Sequence, residues 1–229
     1  MTFTRITPVI TAGVTMLVVF FSILYLSGTI KSQSLTIGMA AIGRIPTAPP
    51  IEKFLIPEGK FGRHRMARME PKYITIHSTQ NYSATADAYA HARALANGAL
   101  KSRSNSLGYL TWHFSVDEKS IYQSLPVIER GEHADYNGPG NRNSIGIEMC
   151  ENSGNSRELT IERTAELAAW LMTRYNIPIS NVVPHQHWKR IRPGDQRNLG
   201  HKNCPHFLMD NGKPGPKWQA FLEQIESKL

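Results

Sequence analysis

Alternation of apolar and polar residues predicts a series of short strands after residue 71. Lys72–His77 alternates and is rich in β-branched residues, which is typical of a strand. Tyr109–Val116 and Ser120–Ser124 predict the two arms of a hairpin. Ser144–Cys150 and Asn181–His185 predict further strands, so enough segments are available to build a sheet.

Helical periodicity predicts three helices between and after these strands. Ser83 is placed to cap a helix over Ala84–Ala96, which Asn97-Gly98 would end. Thr160–Tyr175 repeats apolar residues at helical spacing, and Lys217–Lys228 carries its apolar residues on one face. Because strands alternate with helices, the predicted class is α/β, with a single mixed central sheet flanked by helices.

The N-terminus carries a different pattern. Val9–Leu26 contains eighteen residues without a charge. A signal-peptide core is usually about 7–15 residues long, whereas about 18 or more can cross a bilayer. No clear A-x-A cleavage site follows Leu26, which favours an uncleaved transmembrane anchor over a cleaved signal. Either would place the remaining chain outside the cytoplasm, anchored at the cell envelope or secreted.

These patterns divide the chain into three parts. Residues 1–28 are the anchor or signal segment. Residues 29–70 are predicted to be a linker, since they are rich in Ser, Gly, Thr and Pro, with three prolines between 46 and 50. Residues 71–229 remain for the folded domain, and a chain of 229 residues with 41% hydrophobic residues can bury one substantial core.

Charge and cysteine content narrow the classes of function. The net charge of +8 favours anionic partners such as cell-wall polymer, membrane headgroups or nucleic acid. We expect no nucleic-acid partner, because Phe61 is the only aromatic residue in the basic segments 60–70 and 189–202. The second segment is predicted to be either a lip that contacts an anionic substrate or a solvated insertion. Two cysteines exclude a disulfide framework.

Three residues at or near strand ends are candidates for a metal site. His77 ends the first predicted strand, His185 ends a later one, and Cys204 lies in Lys-Asn-Cys-Pro-His. Two imidazoles and a thiolate would bind zinc and leave the fourth position for water, as in catalytic sites. The three residues are far apart in sequence, so their spacing does not establish whether they form a metal site. A buried core histidine and a small buried cysteine are the alternatives.

Five motifs, in order, resemble the type 2 N-acetylmuramoyl-L-alanine amidases, a family related to phage lysozyme-amidases and peptidoglycan-recognition proteins. They lie between Lys72 and His206 and read YITIHSTQN, LTWHFSVDEKSIYQSLP, NRNSIGIEMCEN, VVPHQHW and KNCPH. The resemblance implies that residues 71–229 form a zinc amidase domain with that family's fold. Its substrate would be peptidoglycan or a muropeptide, cut between N-acetylmuramic acid and L-alanine. We expect a monomer.

The resemblance also implies roles for individual residues. His77, His185 and Cys204 match the zinc ligands, and Zn²⁺ would be the cofactor. Glu148 matches a glutamate near the attacking water, where it would act as general base and acid. Lys202 matches a lysine aimed at the scissile carbonyl. Without the resemblance, Glu148 could equally be a surface carboxylate and Lys202 a solvated charge.

Further positions are predicted to bind substrate, although the family pattern is not complete there. Trp112 stands where phage lysozyme-amidases carry a catalytic tyrosine, so this chain would depend on Glu148. His133 lies in Glu-His-Ala-Asp, where many relatives have Trp-His-Ala-Gly. The full set of predicted substrate-binding residues is Trp112, His113, His133, Asn141 and His187, the last also being a reserve metal ligand.

Three alternatives to the amidase are open at this point. A non-catalytic peptidoglycan-binding module could use the same scaffold, but such modules usually lose the cysteine ligand, and Cys204, Glu148 and Lys202 are all present. A membrane-tethered nucleic-acid-binding protein is disfavoured by the missing aromatics. A zinc hydrolase acting on another amide would have the same residues.

Overall fold

A mixed six-stranded sheet organises the chain. The computed structural model describes residues 46–63, 67–103 and 105–229. The strands, in chain order, are β1 (Glu52–Lys53), β2 (Tyr73–Ser78), β3 (Phe114–Val116), β4 (Ile121–Gln123), β5 (Ser144–Met149) and β6 (Val182–Pro184). Their order in the sheet is β1-β4-β3-β5-β2-β6. The pair β3 and β4 is antiparallel and the other neighbours are parallel, which confirms the predicted mixed sheet.

Helices connect and cover these strands. They are α1 (Ala88–Ala96), α2 (Pro139–Arg142), α3 (Arg157–Tyr175) and α4 (Pro216–Glu226), with 3₁₀ turns at Ile179–Asn181, His185–His187 and His206–Leu208. Ser156 caps α3 by accepting from the backbone N–H of Leu159. A helix is present in each of the three predicted segments, and the class is α/β.

Alternation along the two central strands sorts side chains onto the two faces of the sheet. One face contributes Ile74, Ile76, Ile145 and Ile147 to the main hydrophobic core, which also contains residues of α3 and α4. The intervening positions of β2 and β5 lie on the opposite face because strand side chains alternate. They are Thr75, His77, Ser144, Gly146 and Glu148. This second face carries the polar residues from which the candidate site is built.

Helix α1 starts later than the sequence predicts. Asp87 is the N-cap, and its side chain accepts from the N–H of Ala90 at 2.7 Å. Asp117 also accepts from the N–H of Ala88, so a carboxylate from the hairpin turn satisfies a second free donor. The prediction that Ser83 caps the helix was therefore wrong, because two carboxylates define the helix start four residues further on. The predicted end at Asn97 is confirmed.

The described part of the predicted linker differs from the expectation. Strand β1 pairs with β4, and the N–H of Ile56 donates to the carbonyl of Ser124 at 3.0 Å. Ile56 is fully buried and packs with Leu95 and Leu125. The segment 52–56 thus belongs to the folded unit, because it pairs with β4 and buries the side chain of Ile56.

The predicted anchor at Val9–Leu26 lies outside the described residues. Among helices within the described ranges, none is long and apolar enough to cross a bilayer.

Candidate active site

The carboxyl ends of parallel strands bring four distant residues to one edge of the sheet. In the register of β2 and β5, His77 stands opposite Glu148. Strand β6 pairs with β2 on the other side and ends at Pro184, so His185 follows directly and reaches the same edge. Cys204 is held there by Ser78, whose backbone N–H donates to Sγ at 3.3 Å. Open α/β sheets place their ligand sites at such edges.

His77, His185 and Cys204 form a tight buried cluster. One potential ligand atom from each lies within 4.8 Å of the others. The Nδ1 atoms of His77 and His185 are 2.9 Å apart, and the three residues are at most 5% exposed. Two imidazoles with one thiol are a donor set that suits zinc. The structure therefore brings together the three residues predicted as metal ligands.

The histidines of this cluster are held in the neutral form that metal binding requires. Burial lowers the pKa of His185 to about 3, with a further contribution from the charge of Lys202. Burial and the neighbouring imidazoles of His185 and His133 lower the pKa of His77 well below its usual value. The Nε2–H of His185 faces the carbonyl of Ala134 at 3.0 Å, so Nδ1 presents its lone pair to the cluster.

The pKa of the Cys204 thiol is shifted in the opposite direction, upward. Burial and the adjacent Glu148 carboxylate raise the pKa of this thiol to about 12. A cation bound in the cluster would reverse that direction, because a coordinating thiol loses its proton. A buried thiol beside two lone-pair nitrogens thus fits a metal ligand, and the residues present fit a zinc ion.

Glu148 lies beside the cluster and is suited to proton transfer. Its Oε1 is 3.9 Å from Nδ1 of His77, and its side chain is 14% exposed. Among the described residues, no group makes a hydrogen bond to its buried Oε2. Burial raises the pKa of Glu148 to about 8, although the charge of Lys202 opposes the shift. A carboxyl with a pKa in this range can both accept and return a proton near neutral pH.

A cavity of about 240 Å³ opens next to this cluster. Its described lining includes the predicted residues Trp112, His133, Asn141, Glu148, His185 and Lys202. The other described lining residues were not predicted: Asn105, Leu110, Glu132, Ala134, Tyr136 and Arg190. Arg190 belongs to the basic segment 189–202, so charge was the one signal in the sequence that pointed toward it.

Two residues predicted to bind substrate, His113 and His187, lie away from the cavity lining. His113 is fully buried, accepts from the N–H of Gly146 through Nδ1, and donates from Nε2 to the carbonyl of Glu129. No ring nitrogen is left for a ligand, so this position differs from the prediction. His187 packs against Tyr73 and Trp188 instead. Neither histidine is among the described residues that line the cavity.

Asn141 lies at the cavity wall, but its side chain is engaged by the loop that precedes it. Its Oδ1 accepts from the backbone N–H groups of His133 and Ala134, at 2.9 and 2.7 Å. Its Nδ2 donates to Glu132 and to the carbonyl of Tyr136. The geometry therefore makes Asn141 a support for this loop.

A cavity beside a His–His–Cys cluster and a buried carboxylate has room for a substrate next to side chains that could hold a metal ion. Comparison with known proteins gives the family. The family model for N-acetylmuramoyl-L-alanine amidase matches residues 67–207. The chain belongs to the N-acetylmuramoyl-L-alanine amidase family.

Individual relatives share much of this chain. N-acetylmuramoyl-L-alanine amidase CwlH of Bacillus subtilis (strain 168) is 40% identical over 179 residues, which cover 77% of this chain and 61% of that protein. The amidase XlyA of the same strain is 41% identical over 171 residues, covering 74% of this chain and 49% of that protein. The matched region thus spans only about half to three-fifths of these relatives.

Solved structures agree with the fold. The catalytic domain of XlyA has a TM-score of 0.62 at 39% identity, covering 77% of this chain and 99% of that one. A mutant endolysin from Bacillus subtilis has a TM-score of 0.63 at 40% identity, covering 77% of this chain and 98% of that one. Their matched chains are nearly complete, so the likeness extends over a whole domain.

Proposed function

We propose that this chain hydrolyses the amide bond between N-acetylmuramic acid and L-alanine in peptidoglycan. The observation that carries the proposal is the buried cluster of His77, His185 and Cys204 beside Glu148, in a chain of this family. Relatives named N-acetylmuramoyl-L-alanine amidases, at 40% and 41% identity, support the choice of substrate bond.

His77, His185 and Cys204 would hold the zinc ion. When bound, zinc supplies a Lewis acid that polarises a carbonyl and lowers the pKa of the attacking water toward about 7. Glu148 takes the proton of that water and passes it to the departing amine of alanine. Its raised pKa suits both steps, since the protonated carboxyl is a competent acid near neutral pH.

Lys202 stabilises the negative charge that develops on the carbonyl oxygen. The support is that it lines the same cavity as His185 and Glu148, and that its charge lowers the pKa values of both groups. Losing one such donor typically costs about 3–4 kcal/mol of transition-state stabilisation.

The cavity wall suits an anionic muropeptide. Arg190 lines it, and its buried Nε has no hydrogen-bond partner among the described residues. A carboxylate of the substrate would satisfy this group, and Trp112 and Leu110 offer apolar surface to the glycan and peptide. This arrangement favours a lip role for the basic segment 189–202.

Release of new amino termini tests the function. The purified zinc-loaded chain is incubated with peptidoglycan, and free N-terminal alanine is labelled and quantified. We expect release from the wild type and from Glu226→Gln, a matched exposed carboxylate. Glu148→Gln should retain zinc and release none. A folded, zinc-loaded wild type that binds the wall but releases no alanine would support a non-catalytic binding module instead.

We further propose that residues 9–26 anchor the chain in the membrane and hold the domain at the cell envelope. The support is the uncharged stretch of eighteen residues. Fractionation of cells that express the full chain should recover it intact with the membranes. A soluble extracellular product that lacks residues 1–28 would contradict the anchor and indicate a cleaved signal.

A further inference from the structure

Three imidazoles form an unbroken row of contacts between two backbone carbonyls. The row runs from the carbonyl of Ala134 to His185, then to His77, then to His133, and ends at the carbonyl of Ser144. The successive distances are 3.0, 2.9, 3.0 and 3.3 Å. His77 lies in the middle, with Nδ1 toward His185 and Nε2 toward His133.

A count of the protons shows that the contacts in this row cannot all be hydrogen bonds at the same time. Each neutral imidazole carries one N–H, and a carbonyl only accepts. His185 and His133 use their protons on the two carbonyls, so each turns a lone pair toward His77. The single proton of His77 can therefore serve only one of its two neighbours.

The two placements of that proton have opposite consequences for a metal. With the proton on Nε2, His77 donates to His133, and two Nδ1 lone pairs face each other 2.9 Å apart in the cluster. A cation between them removes their repulsion. With the proton on Nδ1, His77 donates to His185 instead, which occupies both ligand nitrogens.

We propose that His133 is a positioning residue that keeps the proton of His77 on Nε2 and so leaves both Nδ1 atoms free for zinc. The proposal rests on the proposed zinc site but adds a residue that the reaction steps above do not use. His133 acts by accepting: the alternative tautomer would set its lone pair against that of His77. Partners of this kind typically change metal affinity about 10- to 100-fold.

The surroundings of His133 are shaped to hold its ring in this position. A Cβ at Gly146 would lie 2.9 Å from three ring atoms of His133, and a Cβ at Gly131 would lie 2.8 Å from its Cδ2. The ring therefore occupies a slot that only residues without a side chain leave open. Its own backbone N–H is fixed by Asn141.

The same support reaches the second histidine ligand. Asn141 also accepts from the N–H of Ala134, the residue whose carbonyl orients His185. One buried amide thus fixes the two consecutive residues that orient His77 and His185. A loop outside the metal cluster thereby determines the tautomers of both.

Zinc affinity of the full chain, measured by chelator competition, tests the proposal without reference to activity. His133→Asn retains an acceptor near the position of Nδ1, whereas His133→Gln places its amide near Nε2, and His133→Ala retains neither. We expect the Ala and Gln variants to lose about 10- to 100-fold in affinity. His133→Asn should stay within about threefold of wild type. The matched control is His91→Asn, a buried histidine on α1 that should leave affinity unchanged.

Side-chain nitrogen NMR of the metal-free wild type gives a second test that needs no variant. We expect the proton of His77 on Nε2, moving to Nδ1 in His133→Ala. A proton on Nδ1 in the wild type overturns the proposal, as do equal losses of affinity in His133→Asn and His133→Ala. Unchanged zinc affinity in His133→Ala overturns this proposal alone, and the amidase stands. A folded wild type that binds no zinc refutes the zinc site and this proposal together.

Discussion

Replacing Glu148 by glutamine should stabilise the metal-free chain, and increasingly so as the pH rises. The pKa of Glu148 is raised from 4.5 to about 8 by burial. Between these values the unfolded chain has lost this proton while the folded chain keeps it, so unfolding releases a proton and stability falls with pH. The free energy of unfolding of the wild type falls by about 1.4 kcal/mol per pH unit. Between pH 4.5 and about 8 the fall amounts to about 5 kcal/mol.

Urea unfolding of chelator-treated protein at several pH values from 5 to 8.5 measures this difference. The free energy of unfolding of Glu148→Gln minus that of wild type should grow through the interval and level off above pH 8. Glu226→Gln, on the exposed end of α4, is the matched control variant. Parallel curves for wild type and Glu148→Gln would refute the reasoning, since they would mean that the carboxyl ionises as readily in the folded chain as in the unfolded one.

Three further substitutions test the site and the fold. Lys202→Met should lower kcat about 100- to 1,000-fold while zinc affinity, measured by chelator competition, does not fall. Asn141→Ala leaves two buried N–H groups without a partner, so urea unfolding should show a loss of about 2–5 kcal/mol. Ile56→Ala should cost about 2–5 kcal/mol in the same assay, because Ile56 is fully buried; no loss would mean that residues 46–56 contribute nothing to the core.

Strong periodic patterns made much of the fold predictable. The alternation at 72–77 and 144–150 corresponds to β2 and β5, and helical spacing at 160–175 and 217–228 corresponds to α3 and α4. Strand β1 was not predicted, because it has only two residues, follows a proline-rich stretch and is too short to show alternation. The start of α1 was misplaced because Asp117, a distant residue, helps to define it.

The candidate site was harder to predict from residue chemistry alone than the fold was. His77, His185 and Cys204 are separated by more than a hundred positions between the first and second, and only the strand register brings them together. The family resemblance supplied that grouping. The contact between His77 and His133 has no sequence signal, since it depends on a loop that Asn141 holds against the sheet.

Gly146 shows why contacts on one face of the sheet are easier to predict from sequence than contacts on the other. Its neighbours Ile145 and Ile147 pack in the main core, where almost any apolar residue of similar volume would satisfy burial. On the other face, a Cβ at position 146 would collide with His133, and the backbone N–H donates to His113. On the same face, Thr75 accepts from the indole N–H of Trp188, and His77 contacts a ring nitrogen of His133. Alternation therefore predicts which side of β5 turns toward the site, whereas the identity of each contact follows only from the assembled chain.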